Sequence, residues 1–118
     1  EYALTWIPEG YQEVQRNNYS TGVSIAYQDS KNNLIYFDYW RIHMGAVNVI
    51  QVENANVFSV NIDNHEGLYF ESMHPEDMNT VTWVDSKSNI QFQIDANASK
   101  IDILHMANSC DLVKNNKK

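Results

Sequence analysis

The chain has 118 residues, 43% of them hydrophobic and 12% aromatic, which suits one folded domain and excludes a disordered segment. With 15 acidic and 8 basic side chains its net charge is −7, so neither nucleic acid nor an anionic membrane surface is an expected partner, since both are bound through a surplus of Lys and Arg. The single cysteine, Cys110, allows no internal disulfide, and no apolar run approaches the roughly 20 residues that span a bilayer.

In chain order, residues 1–11 read as an opening turn. Pro8 fixes its own φ, and Glu9-Gly10 suits a type II turn with glycine in the positive-φ position. Trp6 and Tyr11 are expected to pack on either side of that turn. Period-two alternation then predicts a sheet over residues 12–95. Val14 to Tyr19 is a weak first strand. Val23, Ile25 and Tyr27 alternate with Ser24 and Ala26, and Asp29 to Asn33 reads as a turn. Leu34 to Ile42 is the strongest strand, with Ile35, Phe37 and Tyr39 on one face and Tyr36 and Trp40 on the other. Apolar on both faces, it is expected in the interior of the sheet.

Residues 43–56 settle on no period, because Gly45 interrupts and Val47, Val49 and Val52 fit neither template. Val57 to Ile62 and Leu68 to Met73 form a hairpin, with Asp63-Asn64-His65-Glu66-Gly67 as its loop and Gly67 supplying positive φ. Pro75 ends the second of these strands. Thr80 to Val84 and Ile90 to Ile94 make a last hairpin across Asp85 to Asn89. A helix is predicted over 99–110. Ser99 and Asp102 have capping-box spacing, and Ile101, Leu104 and Ala107 give the core stripe, supported by Ile103 and Cys110. Residues 111–118, with Lys114, Lys117 and Lys118, read as a solvated tail. The expected architecture is a single α+β domain over 1–118: a curved antiparallel sheet of about six to seven strands with a C-terminal amphipathic helix on one face.

Three stretches in this order carry a resemblance. They are Leu4-Thr5-Trp6-Ile7-Pro8-Glu9-Gly10-Tyr11, Val60-Asn61-Ile62-Asp63-Asn64-His65-Glu66-Gly67-Leu68-Tyr69, and the run from Thr82-Trp83 through Ile90-Gln91-Phe92 to Ile101-Asp102-Ile103-Leu104-His105-Met106-Ala107-Asn108-Ser109. Together they resemble an uncharacterised family, domain of unknown function four-three-six-seven, across nearly the whole chain. The resemblance implies antiparallel strands with a closing helix. It also implies a place at the extracytoplasmic C-terminal end of anti-sigma-factor-like membrane proteins of Gram-positive bacteria, anchored by a membrane segment upstream of this chain. By fold analogy it is similar to lipoprotein-carrier and sigma-regulator sensor domains. Cys110 departs from the aliphatic residue expected there, and a buried cysteine packs as a small hydrophobe. The family supplies no catalytic residues.

The residues themselves assemble no reaction chemistry. His43, His65, His74 and His105 lack zinc-ligand spacing, and there is neither a Gly-x-Ser-x-Gly elbow nor a glycine-rich phosphate loop. A metal site would need His65-Glu66 and His74-Pro75-Glu76-Asp77 to meet at one end of the sheet. His105 reads as a boundary or core histidine, and Cys110 has no neighbour to activate it. The expectation is a non-catalytic sensor or interaction domain, without cofactor, that contacts an unknown protein or cell-envelope component. A long edge strand would allow a homodimer. Two alternatives are kept. One is a carrier or sensor of an apolar, lipid-like ligand, contacted by Tyr36, Trp40, Phe70, Trp83 and Phe92. The other is a small metal-dependent enzyme.

Overall fold

A computed structural model describes residues 1–42 and 55–113. The expectations for 43–54 and for the tail from 114 onward, with His43, Lys114, Lys117 and Lys118, lie outside the described residues. The elements in order are β1 (Tyr2–Leu4), β2 (Gln12–Asn18), β3 (Gly22–Gln28), β4 (Leu34–Arg41), β5 (Ala55–Ile62), β6 (His65–Ser72), β7 (Asn79–Asp85), β8 (Ile90–Ala96), α1 (Lys100–Asn108) and β9 (Cys110–Leu112).

Strands β2 to β8 form one 7-stranded antiparallel sheet in the order β2-β3-β4-β8-β7-β6-β5. It is two meanders, β2-β3-β4 and β5-β6-β7-β8, joined edge to edge where β4 pairs with β8. The edges β2 and β5 do not pair with each other, so the sheet is open. As its two-sided apolarity predicts, β4 lies in the interior. Strand β1 pairs with β9 as a separate 2-stranded ribbon, Tyr2 opposite Leu112 and Leu4 opposite Cys110. Both short strands are corrections to the expected opening turn and tail. Three residues carry too little periodicity to be read as a strand, and this pairing spans the whole domain.

Residues directly opposite each other across paired strands share a face. The register therefore puts Ile35, Phe37 and Tyr39 with Ala96, Ile94 and Phe92, and these with Val81, Trp83 and Tyr69. That face is the core, completed by Ile25, Tyr27 and Ile62 from the sheet and by Ile103, Met106 and Ala107 from α1. The helix begins where Ser99 caps it, the Asp102 N–H donating to Ser99 Oγ at 3.1 Å. Its buried stripe is Ile103, Met106 and Ala107, whereas Ile101 is 80% exposed. The expected stripe through Ile101 is thus rotated onto the neighbouring i, i+3, i+4 set. The start of α1 is held over the edge of the sheet, with Lys100 Nζ 4.6 Å from the centre of the Phe58 ring.

Two glycines differ in what they do. Gly10 has φ +94° in the Pro8–Tyr11 turn, as expected, and Tyr11 N–H donates to Pro8 O at 3.4 Å. Gly67 is not in the hairpin loop. The turn is only Asp63-Asn64, both at positive φ (49° and 70°), so β6 begins at His65 and Gly67 pairs with Val60. Its requirement is closeness: a Cβ there would sit 2.7 Å from Thr82 O and 3.0 Å from Trp83 Cβ. Gly67→Ala is expected to cost about 2 kcal/mol by forcing β6 away from β7, against about 1 kcal/mol for Gly10→Ala, whose cost is backbone strain alone. Urea unfolding of the two variants measures both.

Candidate functional site

A cavity of about 240 Å³ opens where the C-terminal end of α1, the β5–β6 turn and the terminal ribbon meet the core face of the sheet. Each wall has a local cause. The two-residue Asp63-Asn64 turn requires positive φ at both positions, which Asp and Asn tolerate better than most residues. This places Asp63 beside the end of the helix, where its backbone N–H donates to Asn108 Oδ1 at 2.9 Å. Asn108 in turn donates from Nδ2 to Leu104 O at 2.8 Å, so the turn is tied to the last turn of α1. The floor is aromatic. Trp83 stacks on Phe92 with centroids 5.1 Å apart and planes at 12°, and Tyr2 meets Phe92 edge-on at 4.9 Å and 84°.

The ribbon supplies the remaining wall, with Tyr2 from β1 and Cys110, Asp111 and Leu112 from β9. Ser109, the C-cap of α1, fastens the opening segment to it. Trp6 N–H donates to Ser109 Oγ at 3.1 Å, Thr5 Oγ1 donates to Ser109 O at 2.8 Å, and Ser109 Oγ donates to Met106 O at 2.7 Å. The Trp6 indole lies flat on His105 at 3.9 Å and 14°, so that exposed histidine serves as a platform for the opening turn rather than as a core residue. Among the described residues three carboxylates and a histidine line the cavity: Asp63 from the turn, His65 from the start of β6, Asp85 from the end of β7 and Asp111 from β9. Burial pushes the Cys110 thiol up to about 12, and the charges of Asp111 and Asp63 add to the shift.

A protein-family model described as "Domain of unknown function (DUF4367)" matches residues 1–110. The chain belongs to that family. The match takes in the aromatic floor, Asp63 and Asp85 and stops at Cys110, one residue before Asp111. No curated protein and no solved structure matches the chain.

In this member of the domain-of-unknown-function family, the five aromatic residues expected to line one apolar site fall on two faces. Trp83 and Phe92 belong to the cavity floor on the helix side. Tyr36, Trp40 and Phe70 lie on the opposite face, as the pairings Tyr36–Asp95, Thr80–Asp95 and Phe70–Thr80 require. The second face also carries a polar strip that periodicity alone did not reveal. Thr80 Oγ1 donates to Asp95 Oδ1 and Gln93 Nε2 to Asp95 Oδ2 at 2.8 Å, while Gln91 Nε2 donates to Thr82 Oγ1 at 3.1 Å. Asp38, opposite Gln93, is half-buried in this strip. Burial pushes its carboxyl above the ordinary 3.8. The Asp95 charge adds to that, and the Ser24 hydroxyl opposes it. The meeting of the two histidine clusters that a metal site would need does not occur: His65 starts β6 and His74 lies past its other end, about 25 Å away at strand rise.

Two outcomes follow from these environments. A carboxyl whose folded pKa is raised is more stable protonated, so its contribution is fully present below 3.8 and lost as pH rises through the folded value. Asp38→Asn is therefore expected to raise the urea midpoint at neutral pH, with the gain disappearing below 3.8. For Cys110, almost no thiolate exists at neutral pH, so iodoacetamide should alkylate the native protein at least about a hundredfold more slowly than the protein in urea.

Proposed function

We propose that the domain is a non-catalytic, extracytoplasmic sensor or interaction module of a membrane-anchored, anti-sigma-factor-like regulatory protein. One observation carries the reading: the first and last strands of the domain, paired as the β1–β9 ribbon, form a wall of its cavity. A ligand seated there touches β1, the strand that would follow the proposed upstream membrane segment. Occupancy and ribbon position are then coupled, because a ligand shifts a conformational equilibrium by its differential affinity for the two states.

The groups around the cavity suit recognition. Its cysteine is held as the thiol, and its other titratable members, three carboxylates and His65, are spread over separate elements. An apolar carrier is supported less well. Its cavity would be a long empty trough, whereas here the Tyr2, Trp83 and Phe92 rings are packed on one another and Phe37 and Tyr39 lie against them.

The location is decided by topology reporters placed after this domain in the full-length protein. Alkaline phosphatase, active only outside the cytoplasm, is expected to be active. A fluorescent cytoplasmic reporter with inactive phosphatase at the same junction would overturn the reading.

A further inference from the structure

We infer that His105 and Trp6 form a proton-sensitive clasp, in which protonation of His105 tightens the stack that holds the β1–β2 connection, residues 5–11, against the outer side of α1. The inference deepens the sensor reading by naming the proton as a signal, and it rests on that reading for its use in the full-length protein. Its first support is where the two rings sit. Ile103, Met106 and Ala107 are the buried residues of the helix, and at about 100° per residue His105 points the other way. Trp6 reaches over the helix to stack on it, with centroids 3.9 Å apart and planes at 14°. A tryptophan face attracts a cation through its quadrupole. Imidazole keeps its shape on protonation, so the contact stays and its strength changes. The attraction is present while His105 carries its proton and is lost as pH rises through its titration.

The second support is that the imidazole is held by the stack alone. Among the described residues neither of its ring nitrogens has a hydrogen-bond partner, and no carboxylate makes an ion pair with it. Either nitrogen takes the proton without breaking a bond. The charged groups of the elements that meet here are Lys100 and Asp102 on α1, Glu9 on the connection, and Glu1 and Asp111 beside or within the ribbon. The helix dipole and the net charge of −7 favour the imidazolium whether or not Trp6 is docked, so neither chooses between the two states. The third support is the tie between the stack and the connection. Ser109 N–H donates to His105 O at 3.1 Å, and Ser109 accepts from Thr5 N–H at 3.0 Å and from Trp6 N–H at 3.1 Å. Undocking the connection breaks the last two bonds together with the stack, so proton binding and docking are reciprocally linked. The connection continues directly from β1, and a looser clasp leaves that wall of the cavity less firmly held.

Hydrogen exchange followed by NMR on the whole chain reads the clasp at the Thr5 and Trp6 amides, as protection relative to the unfolded chain at the same pH. Histidine changes charge between about pH 5 and 8, and ordinary carboxylates are ionised above about pH 5.5. Protection of both amides is expected to be about two- to fivefold greater at about pH 5.5 than at about pH 8, which is the strength of an exposed cation–π contact. The difference should persist in about 1 M salt, where the screening length is about 3 Å and only contact attraction survives. His105→Gln, on the exposed side of α1, should abolish the pH dependence, and His74→Gln, past the far end of β6, should leave it intact. Thermal unfolding confirms that both variants fold. Protection that does not rise at the lower pH, a rise that survives His105→Gln, equal loss with His74→Gln, or a rise that vanishes in salt overturns the clasp. None of these outcomes touches the phosphatase result, and a cytoplasmic reporter would remove the extracytoplasmic reading while leaving the exchange result standing.

Discussion

Everything in this fold depends on one non-local pairing, that of β4 with β8. Ile35 sits opposite Ala96 and Arg41 opposite Ile90, so segments more than forty residues apart are held in a single register. Without it the chain would make two separate meanders, each with one apolar face and no partner. A slip of one residue would turn one strand over relative to the other, putting Phe37 and Tyr39 out of the core with Asp38 in their place, or Phe92 and Ile94 out with Gln93 and Asp95 in. The cost of that exchange, several buried aromatic and aliphatic side chains against unpaired carboxylates, fixes the register far more firmly than backbone hydrogen bonds could. The same pairing sets Phe92 beside Trp83, and so makes the floor of the cavity.

The terminal ribbon is built on that foundation and not beside it. Tyr2 enters the core edge-on to Phe92 and donates its backbone N–H to the Tyr39 hydroxyl at 3.2 Å. Both partners belong to the β4–β8 seam. At the other end Ser109 stops α1 and fastens Thr5 and Trp6, and Leu4 then lies opposite Cys110. The ribbon has few ladder contacts of its own, so its position is set by the side chains beneath it. An element held in that way responds to what fills the neighbouring space, and this is what supports the sensor role proposed for the domain.

Much of the sheet was legible because its side chains alternate. Leu34 to Ile42 announced a two-faced interior strand, and the Ser99–Asp102 spacing announced where the helix begins. Three kinds of information were not in the local pattern. Gly67 looked like a turn glycine because it followed Asp-Asn-His-Glu, yet it is required by the approach of Thr82 and Trp83 from another hairpin. Ile101 looked like core because helical spacing allows two overlapping stripes, and only docking on the sheet chooses between them. The cavity was invisible for the same reason, its members coming from positions 2, 62, 63, 65, 83, 85, 92, 107 and 110–112. The aromatic candidates Trp83 and Phe92 were identified by size and alternation, but their separation from Tyr36, Trp40 and Phe70 follows from strand order, which periodicity does not encode.

The distribution of carboxylates separates scaffold from site. Glu13 is matched by Arg16 at 2.9 Å, which holds its carboxyl below the ordinary 4.5. Asp29 accepts backbone N–H groups from Lys31 and Asn33 and closes the β3–β4 turn. Asp95 takes donors from Thr80 and Gln93 on both oxygens. In each case the negative charge is answered from within the chain, and the local fold needs it. Around the cavity the balance differs. Asp85 and Asp111 each give one oxygen to a neighbouring backbone N–H, from Lys87 and Leu112, and carry their charge into a shared space with no cation of the described residues against it. Folding alone does not favour collecting like charges at a helix C-terminus, where the dipole opposes them. Asp63 and Asp111 stand exposed there, so water screens most of the repulsion and the fold tolerates the three charges at small cost.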